Sequence, residues 1–303
     1  MNKSELYKSL SDDLYGKLHL LEDKPEETVE TTLKALWLTA AGIPVSAHGS
    51  LSHTIPDLSD NQVGKLRELI ELRLKNIPLA HITKRQNFMG IELLSDKRAL
   101  IPRKETEILG KKALELSENI AAGKGNIKVI DVCCGCGNLG VAIATFNPDC
   151  TVYSTDLSDE AVELTRDNIN FQNLSERVFA KQGDLLSAFE TEEFYEKTDL
   201  IICNPPYISS SKVQKMDSEI ASNEPILAFD GGMLGIKIIQ KLITDAPRFL
   251  TKDGWLIFEV GAGQGNFIAQ LCERSQSYQF IETVADDFGT VRVIFAQKIK
   301  QTN

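Results

Sequence analysis

The sequence predicts an α/β protein with a mostly parallel sheet and an antiparallel last strand, preceded by a small helical domain and a linking β-hairpin. From residue 126 onward, short apolar runs alternate with amphipathic segments, which is typical of a parallel sheet with helices on both faces. The first 80 residues instead place apolar residues at spacings of three and four, as helices do. A short turn, Asp286 to Gly289, separates the last two apolar runs and favours an antiparallel pair over another crossover.

The length and composition predict more than one domain. The chain has 303 residues, of which 42% are hydrophobic and 25% charged, as in soluble proteins with a sizeable core. We predict an N-terminal helical recognition domain (1–80), a β-hairpin linker (81–105) and a ligand-binding catalytic domain (106–303). The N-terminus is polar and no apolar run is long enough to span a bilayer, so a cytoplasmic location is expected.

The net charge of -10 is unevenly distributed. Residues 1–108 hold 15 basic and 16 acidic side chains, against 18 and 27 in the remainder. A strongly acidic second part binds a phosphate backbone poorly, but it does not repel a cationic ligand.

The first part contains no pattern with obvious chemistry. Three helices are predicted, over residues 3–20, 26–41 and 60–75. Asp60 is a candidate N-cap because its carboxylate can accept a hydrogen bond from the first turn. The hairpin is predicted to join strands 87–93 and 98–101 through residues 95–97. Recognition of a substrate or partner is favoured over a purely stabilising role.

A glycine loop follows the first apolar strand of the second part, residues 128–132. It reads Asp131-Val132-Cys133-Cys134-Gly135-Cys136-Gly137, and its glycines let the backbone turn sharply and approach a ligand closely. The loop is not specific by itself, because a dinucleotide site, a nucleoside site and a tight turn all use such residues.

Acidic residues follow the next two strands. Asp156 ends the strand 151–155, where a carboxylate can accept from both ribose hydroxyls of a nucleoside. Asp184 follows the strand 178–182, where it can accept from an adenine amino group. Because no Lys or Arg suited to a phosphate stands opposite, a cationic nucleoside without pyrophosphate is favoured over a dinucleotide.

The fourth strand ends in Asn204-Pro205-Pro206-Tyr207. The prolines stop the strand because neither can donate to a sheet ladder. Asn204 therefore lies at the carboxyl edge of the sheet, where ligands bind, and offers both an acceptor and a donor to a planar amide or amino group. Pro205 adds a carbonyl without an N–H, and Tyr207 an aromatic wall. An Asn-Pro turn after a core strand is the purely structural alternative.

The remaining predicted elements complete the sheet. They are a helix over 234–250, a strand over 255–260, a helix over 264–274 and strands over 280–284 and 291–296. The glycine-containing segment 224–232 is expected to lie over the pocket.

The six cysteines are predicted to be reduced thiols. Several fall in or beside predicted strands, which suits a core better than a disulfide framework. A metal site is one interpretation of the closely spaced Cys133, Cys134 and Cys136. However, no second pair of cysteines at ligand spacing follows, and all four histidines lie upstream. No metal is therefore predicted.

These motifs resemble the HemK/PrmC family of S-adenosylmethionine-dependent methyltransferases, which modify the glutamine side-chain amide in the Gly-Gly-Gln motif of peptide chain release factors. The resemblance covers nearly the whole chain. Asn-Pro-Pro-Tyr alone is shared with adenine and cytosine amino methyltransferases, and the combination is much more specific. The other matching segments are Pro78 to Ile82, Ile101 to Glu107, the glycine loop, Glu224 to Gly232 and the final hairpin.

The resemblance implies a class I methyltransferase Rossmann-like fold, S-adenosylmethionine as cofactor, and a release factor gripped partly by the N-terminal domain, with no nucleic acid or membrane partner. It implies that Asn204 and the Pro205 carbonyl hold the acceptor amide, with Pro206 and Tyr207 beside it. The residues that it implies for the cofactor are Arg103, Thr106, Asp131, Cys133, Cys134, Gly135, Cys136, Gly137, Asp156, Leu157, Asp184, Leu185 and Asn204.

The expected reaction is in-line methyl transfer from the sulfonium to an amide nitrogen, with the protein acting mainly by positioning. Three alternatives stay open. Cysteines replace the small residues usual in the family's glycine loop, which supports a small-molecule methyltransferase or another reaction of the cofactor, such as intramolecular cyclisation. A nucleic-acid amino methyltransferase would grip a flipped base with the same motif, but the acidic second part argues against it. A non-enzymatic cofactor-binding protein is the third.

Overall fold

The computed structural model describes residues 2–21, 23–213, 223–232 and 235–299. The chain divides into two compact units. Unit 1 comprises Met1–Lys97, Ile101–Lys104 and Asp217–Glu224, and unit 2 comprises Arg98–Leu100, Glu105–Met216 and Pro225–Asn303, each as far as its residues are described. None of the helices in the described ranges is long and apolar enough to cross a membrane.

Unit 1 is mainly helical. Among residues 2–104, apart from residue 22, the helices are α1 (Lys3–Leu14), α2 (Val29–Ala40), α3 (Ala47–Ser50), α4 (Asp60–Leu74) and α5 (Leu79–Thr83). The core of unit 1 is formed by leucines of these helices around Trp37, which is 1% exposed. The indole Nε1 of Trp37 donates to the carbonyl of Pro56 at 2.9 Å, so its single polar atom is satisfied inside the core.

Two helix ends in unit 1 differ from the prediction. Helix α1 stops at Leu14 rather than near residue 20, and Gly16 shortly after it has a φ of 75°, a left-handed conformation that does not continue a helix. The N-cap of α4 is Ser59, so the assignment to Asp60 is wrong by one residue. The Ser59 hydroxyl accepts from the backbone N–H of Gln62, while Asp60 lies in the first turn, where the helix dipole favours a carboxylate.

The β-hairpin has a different register from the predicted one. Strand β1 (Arg85–Phe88) pairs antiparallel with β2 (Ile91–Leu94), and Phe88 stands opposite Ile91. The connection is therefore Met89-Gly90, with φ values of 52° and 89°, as a two-residue primed turn requires. The prediction of a continuous strand over residues 87–93 is wrong because a methionine at positive φ carries none of the usual turn signals.

Unit 2 is built on one seven-stranded sheet. Its strands are β3 (Ile127–Val132), β4 (Cys150–Asp156), β5 (Val178–Gln182), β6 (Thr198–Cys203), β7 (Leu250–Glu259), β8 (Tyr278–Ala285) and β9 (Val291–Lys298), in the order β5-β4-β3-β6-β7-β9-β8. The first five of that order are parallel, and β9 runs antiparallel to β7 and β8. The predicted fold class is confirmed.

Helices precede and connect these strands. Those in the described part of unit 2 are α6 (Thr106–Lys124), α7 (Asn138–Phe146), α8 (Asp159–Phe171), α9 (Ser210–Val213), α10 (Lys237–Asp245) and α11 (Gly265–Arg274). The predicted helix 234–250 is shorter at its end, since a 3-10 turn at Ala246–Arg248 carries Pro247 and β7 already begins at Leu250. The predicted start of this helix, Leu234, lies outside the described residues.

The strand order places the expected ligand site. Strand β3 lies between β4 and β6: the chain adds β4 and β5 on one side of β3 and then crosses over to add β6 on its other side. In open α/β sheets this reversal opens a crevice beyond the carboxyl ends of the two diverging strands. The two loops that leave β3 and β6 at this edge are the glycine loop and Asn204 to Tyr207.

Candidate functional site

The backbone of the glycine loop, Cys133 to Gly137, adopts conformations that are unfavourable for most residue types. Cys133, Gly135 and Gly137 have φ values of 57°, 57° and 81°. At Gly137 a Cβ would also lie 2.7 Å from the Cγ2 of Thr165, whereas at Gly135 it would meet nothing within 4 Å. Gly137 is therefore required by both conformation and space, and Gly135 leaves backbone open on one side of the loop.

Hydrogen bonds from neighbouring elements of unit 2 hold the loop in this conformation. The hydroxyl of Thr165 donates to the carbonyl of Gly135 at 2.9 Å, and the Nδ2 of Asn168 donates to the carbonyl of Cys136 at 3.0 Å. Both side chains come from α8. The N–H of Cys134 donates to the carbonyl of Thr155 in β4 at 3.0 Å. The loop is thus preorganised by the elements beside it.

Asp131 is a fully buried carboxyl group beneath the loop. Its Oδ2 accepts from the N–H of Gly140 at 2.9 Å, while its Oδ1 has no hydrogen-bond partner within the described structure. Burial raises the pKa of Asp131 to about 7, and Asp156 adds to the rise, against the lowering effect of the Gly140 N–H. A Cβ on Gly140 would lie 2.9 Å from the Oδ2, so only glycine lets α7 approach this closely.

Asp156 joins the end of β4 to the glycine loop. Its Oδ2 accepts from the N–H of Gly135 at 2.9 Å, and its Oδ1 accepts from the N–H of Ser158 at 3.0 Å. Burial raises the pKa of Asp156, although these backbone N–H groups lower it. A carboxylate has about four lone-pair positions, so Asp156 retains acceptor capacity for a ligand.

Asp184, which follows β5, is more exposed than Asp131 and Asp156. Asp184 forms an ion pair with the Nζ of Lys241 at 2.5 Å, with both side chains about half exposed. Leu185 has a φ of 54° and is buried, whereas Leu157, beside Asp156, is 55% exposed. The pairing with Lys241 was not anticipated from the sequence.

The loop after β6 is fixed by two side-chain hydrogen bonds. The Nδ2 of Asn204 donates to the hydroxyl oxygen of Thr106 at 3.1 Å. The hydroxyl of Tyr207 donates to the Oε1 of Glu259 at 3.0 Å. The pKa of Tyr207 is raised, mainly by burial and secondly by the negative charge of Glu259. Between them, Pro205 is buried and Pro206 half-buried. Asn204 and Thr106, which the sequence assigned to one site, are thus in direct contact.

Sequence reasoning missed the charged groups behind this loop. Glu259, at the end of β7, is 2% exposed, and the Nη2 of Arg292 lies 3.6 Å from its Oε1. The same Nη2 lies 2.7 Å from the Oε2 of Glu105, which precedes α6. One signal was available: Glu259 ends an apolar strand, as Asp156 and Asn204 do.

Arg103, predicted to contact the cofactor, belongs to unit 1. Its Nη2 lies 2.5 Å from the Oε1 of Glu224, and its Nε lies 3.2 Å from the Oδ2 of Asp23. The other carboxyl oxygen of Glu224 accepts from the N–H of Ile101 at 2.8 Å. This ion-pair network fixes the guanidinium within unit 1, and the cofactor role of Arg103 stays a prediction.

The cysteines are free thiols, and all are buried except Cys133, which is half-buried. Burial raises the pKa of Cys134 and of Cys203, so both remain protonated at neutral pH. Among the described residues no group of three or more His, Cys, Asp or Glu side chains is arranged to hold a metal ion.

Comparison with known proteins identifies related sequences. The Methyltransferase small domain family matches residues 113–233. The release factor glutamine methyltransferase of Clostridium acetobutylicum is 32% identical over 240 residues, which are 79% of this chain and 82% of that protein. The release factor glutamine methyltransferase of Streptococcus pneumoniae is 34% identical over 72% of this chain and 74% of its own length.

Solved structures share the fold at low sequence identity. The methyltransferase from Pyrococcus furiosus has a TM-score of 0.50 at 16% identity, over 77% of this chain and 98% of its own. The hMettl16 catalytic domain, solved with the MAT2A 3'UTR hairpin 6, has a TM-score of 0.53 at 13% identity, over 78% and 94%. At these identities the likeness concerns the fold alone.

Proposed function

The chain belongs to the family of release factor glutamine methyltransferases, and on that basis we propose that it transfers a methyl group from S-adenosylmethionine to the side-chain amide nitrogen of a glutamine in a release factor. The observation that carries the proposal is the position of Asn204, at the carboxyl end of β6 beside the glycine loop that leaves β3. Its amide is held by Thr106 through the Nδ2, which directs the Oδ1 away from that contact.

The residues around the glycine loop fit a cationic nucleoside. Bound S-adenosylmethionine would supply a methyl group on a positively charged sulfur, which is a good leaving group. The unpaired buried Oδ1 of Asp131 offers a hydrogen-bonding atom, the carboxylate of Asp156 offers acceptors, and the open side of Gly135 offers space. Asp156 would accept from the ribose hydroxyls with its remaining lone pairs.

The other predicted cofactor contacts follow from the same arrangement. Cys133 and Gly137 would border the methionine part through the backbone of the loop. Asp184 would accept from the adenine amino group, with Leu157 and Leu185 against the ring. Asp184 uses its Oδ2 for Lys241, which leaves the Oδ1 for that contact.

The protein's own contribution would be to orient the acceptor amide. The Oδ1 of Asn204 and the carbonyl of Pro205 would accept its two N–H bonds, which aims the nitrogen lone pair at the incoming methyl group. As positive charge develops on that nitrogen, both oxygens stabilise it. No general base is required if the proton leaves after the methyl group has been transferred.

Mass spectrometry tests this function directly. The protein is incubated with S-adenosylmethionine, with and without a release factor that carries Gly-Gly-Gln. We expect one added methyl group on that glutamine and an equal amount of S-adenosylhomocysteine. Cofactor consumed equally without the release factor, or converted to methylthioadenosine, would mean that the reaction is a different one on the same fold.

Unit 1 is proposed to bind the release factor. Ile43 and Leu51, which flank α3, are 43% and 58% exposed, and such apolar side chains suit a protein partner. Leu51→Ser should raise the KM for the release factor several-fold without changing kcat for a short glutamine peptide. Phe288→Ser, at a 94% exposed position in unit 2, is the control. Equal KM values for all three proteins would remove unit 1 from recognition. Because a release factor acts in translation, we propose a cytoplasmic location for the protein.

A further inference from the structure

Gln264 follows β7 and occupies the N-cap position of α11, yet its side chain does not cap that helix. An N-cap side chain ordinarily accepts from a backbone N–H in the first turn of its own helix. Within the described part of the chain, the amide of Gln264 makes no such bond with α11. Its Oε1 accepts instead from the N–H of Gly261, which precedes the helix, at 2.9 Å. The side chain is therefore directed away from the helix that it begins.

The nitrogen of the same side chain contacts two further segments of unit 2. The Nε2 donates to the carbonyl of Tyr207 at 3.0 Å and to the carbonyl of Gly235 at 3.4 Å. Tyr207 belongs to the loop after β6, and Gly235 lies just before α10. Because both protons of the Nε2 and the Oε1 are engaged, one amide joins three backbone segments. Gln264, Gly261, Tyr207 and Gly235 thus form an amide clasp around the end of the loop after β6.

Glycines give the amide clasp the space to close. A Cβ at Gly235, whose φ is 70°, would overlap the carbonyl oxygen of Tyr207. A Cβ at Gly261 would lie 2.8 Å from the Oε1 of Gln264 and 3.0 Å from the Cδ2 of the Tyr207 ring. The ring is also held at its far end, where the hydroxyl donates to Glu259 at 3.0 Å. Tyr207 is therefore fixed at its carbonyl, along its ring and at its hydroxyl.

The amide clasp is connected to the carbonyl of Pro205 by a short and stiff stretch of backbone. Pro206 stands between Pro205 and Tyr207, and its ring locks φ, which removes one of the torsions between the two carbonyls. A Cβ at Gly231 would lie 2.6 Å from the carbonyl oxygen of Pro206, so the peptide between them is closely packed as well. Holding the Tyr207 carbonyl therefore limits the movement of the Pro205 carbonyl.

We propose that Gln264 is a positioning residue for methyl transfer: by donating to the Tyr207 carbonyl it fixes the end of the loop after β6, and with it the Tyr207 ring and the Pro205 carbonyl beside the acceptor amide. This inference rests on the proposed function. Gln264 acts through the loop, whereas the proposed cofactor contacts lie mainly at the ends of β3, β4 and β5. Its loss should therefore slow the chemical step and leave the binding of S-adenosylmethionine as it is.

Kinetics of Gln264→Glu test this role. The glutamate keeps an acceptor for the N–H of Gly261 but turns an oxygen toward the two carbonyls that the Nε2 contacts, which repel it. We expect kcat to fall about tenfold, equivalent to about 1.4 kcal/mol, both with a release factor and with a short glutamine peptide. The KM for S-adenosylmethionine should stay within about twofold of the wild type.

Gln297→Glu is the matched control for these kinetics. The Nε2 of Gln297 also donates to a carbonyl within unit 2, that of Asp253 at 3.1 Å, and Gln297 lies opposite Trp255 in β7, away from the carboxyl edge of the sheet. Its kcat should equal that of the wild type. A wild-type kcat in Gln264→Glu overturns the proposal, and so does an equal loss of kcat in both variants.

A second measurement needs no release factor. Tyr207 is the only tyrosine of the chain that is followed by isoleucine. Labelling the tyrosines at the carbonyl carbon and the isoleucines at nitrogen therefore gives a single NMR signal that joins the Tyr207 carbonyl to the Ile208 N–H. The carbonyl shift should move in Gln264→Glu and in Gln264→Met, because the carbonyl loses its hydrogen bond, and should stay in place in Gln297→Glu.

The two measurements separate this inference from the proposed function. A carbonyl signal that does not move in the Gln264 variants overturns the amide clasp, whichever reaction the protein performs. A moved signal in a protein that methylates no release factor supports the amide clasp and refutes the proposed function alone. If Gln264→Glu does not fold, Gln264→Met takes its place in both measurements, since methionine has a similar length and neither polar group of the amide.

Discussion

Gly137 gives a quantitative test of the glycine loop, because two separate penalties meet there. Its φ of 81° is left-handed, and a Cβ would lie 2.7 Å from the Cγ2 of Thr165. Gly135 has a φ of 57° but nothing within 4 Å of its Cβ position, so it carries the first penalty without the second. The pair Gly137→Ala and Gly135→Ala therefore separates crowding from conformation within one loop.

The magnitudes follow from these two terms. A left-handed conformation costs an alanine roughly 1–2 kcal/mol, which is the expected loss of unfolding free energy for Gly135→Ala. Overpacking adds about 1–3 kcal/mol, so Gly137→Ala should lose about 2–5 kcal/mol. Thr165→Ser removes the obstructing methyl and keeps the hydroxyl that donates to Gly135. In the double variant Gly137→Ala/Thr165→Ser we expect a favourable coupling of about 1–3 kcal/mol.

Urea unfolding, monitored by circular dichroism in one buffer, measures all of these free-energy terms for the four variants and the wild type. The reasoning would be refuted if Gly137→Ala were no less stable than Gly135→Ala. It would also be refuted if the double variant showed no coupling, since the distance to the Thr165 methyl would then have no energetic consequence. Similar m values across the series are the control for an unchanged extent of unfolding.

Three further predictions concern the site. Asn204→Ala should abolish turnover while calorimetry still detects S-adenosylmethionine binding, and normal turnover would remove Asn204 from the mechanism. Because the pKa of Asp131 is raised to about 7, its folded state binds the proton more tightly than the unfolded state, so this group stabilises most below about pH 4 and loses that contribution as pH rises through 7. Asp131→Asn should therefore flatten the fall in stability between those pH values, by at most about 4 kcal/mol, and an unchanged pH profile would contradict the shift. Lys241→Ala should lower stability by less than about 1 kcal/mol, because its pair with Asp184 is half-exposed, and a larger loss in urea unfolding would show an additional role.

The pattern of strands and helices in unit 2 was predictable because it follows from the local spacing of apolar residues along the chain. The last four residues of the buried strand β6, Leu200 to Cys203, form a continuous apolar run, and the polar residue directly after them lies where the strand ends. Parallel strands bring those ends to one edge, so Asp156 and Asn204 could be assigned to the same side of the sheet before any contact was known.

Prediction from the local sequence failed where the outcome depended on a single residue. The turn at Met89-Gly90 carries only one of the residues that favour positive φ, and the hairpin was therefore misplaced. At the start of α4 both Ser59 and Asp60 are good caps, and the choice depends on which side chain reaches the Gln62 N–H.

The sequence by itself determined the order of elements, the strand ends and the residues that stand there. Tertiary structure decided which groups hold them: Thr106 for Asn204, 98 residues away, Glu259 for Tyr207, 52 residues away, and Arg292 for Glu105, 187 residues away. The physical reason is that periodicity reports on the faces of single elements, whereas a buried hydrogen-bond network depends on register and burial, which exist only after the sheet has assembled.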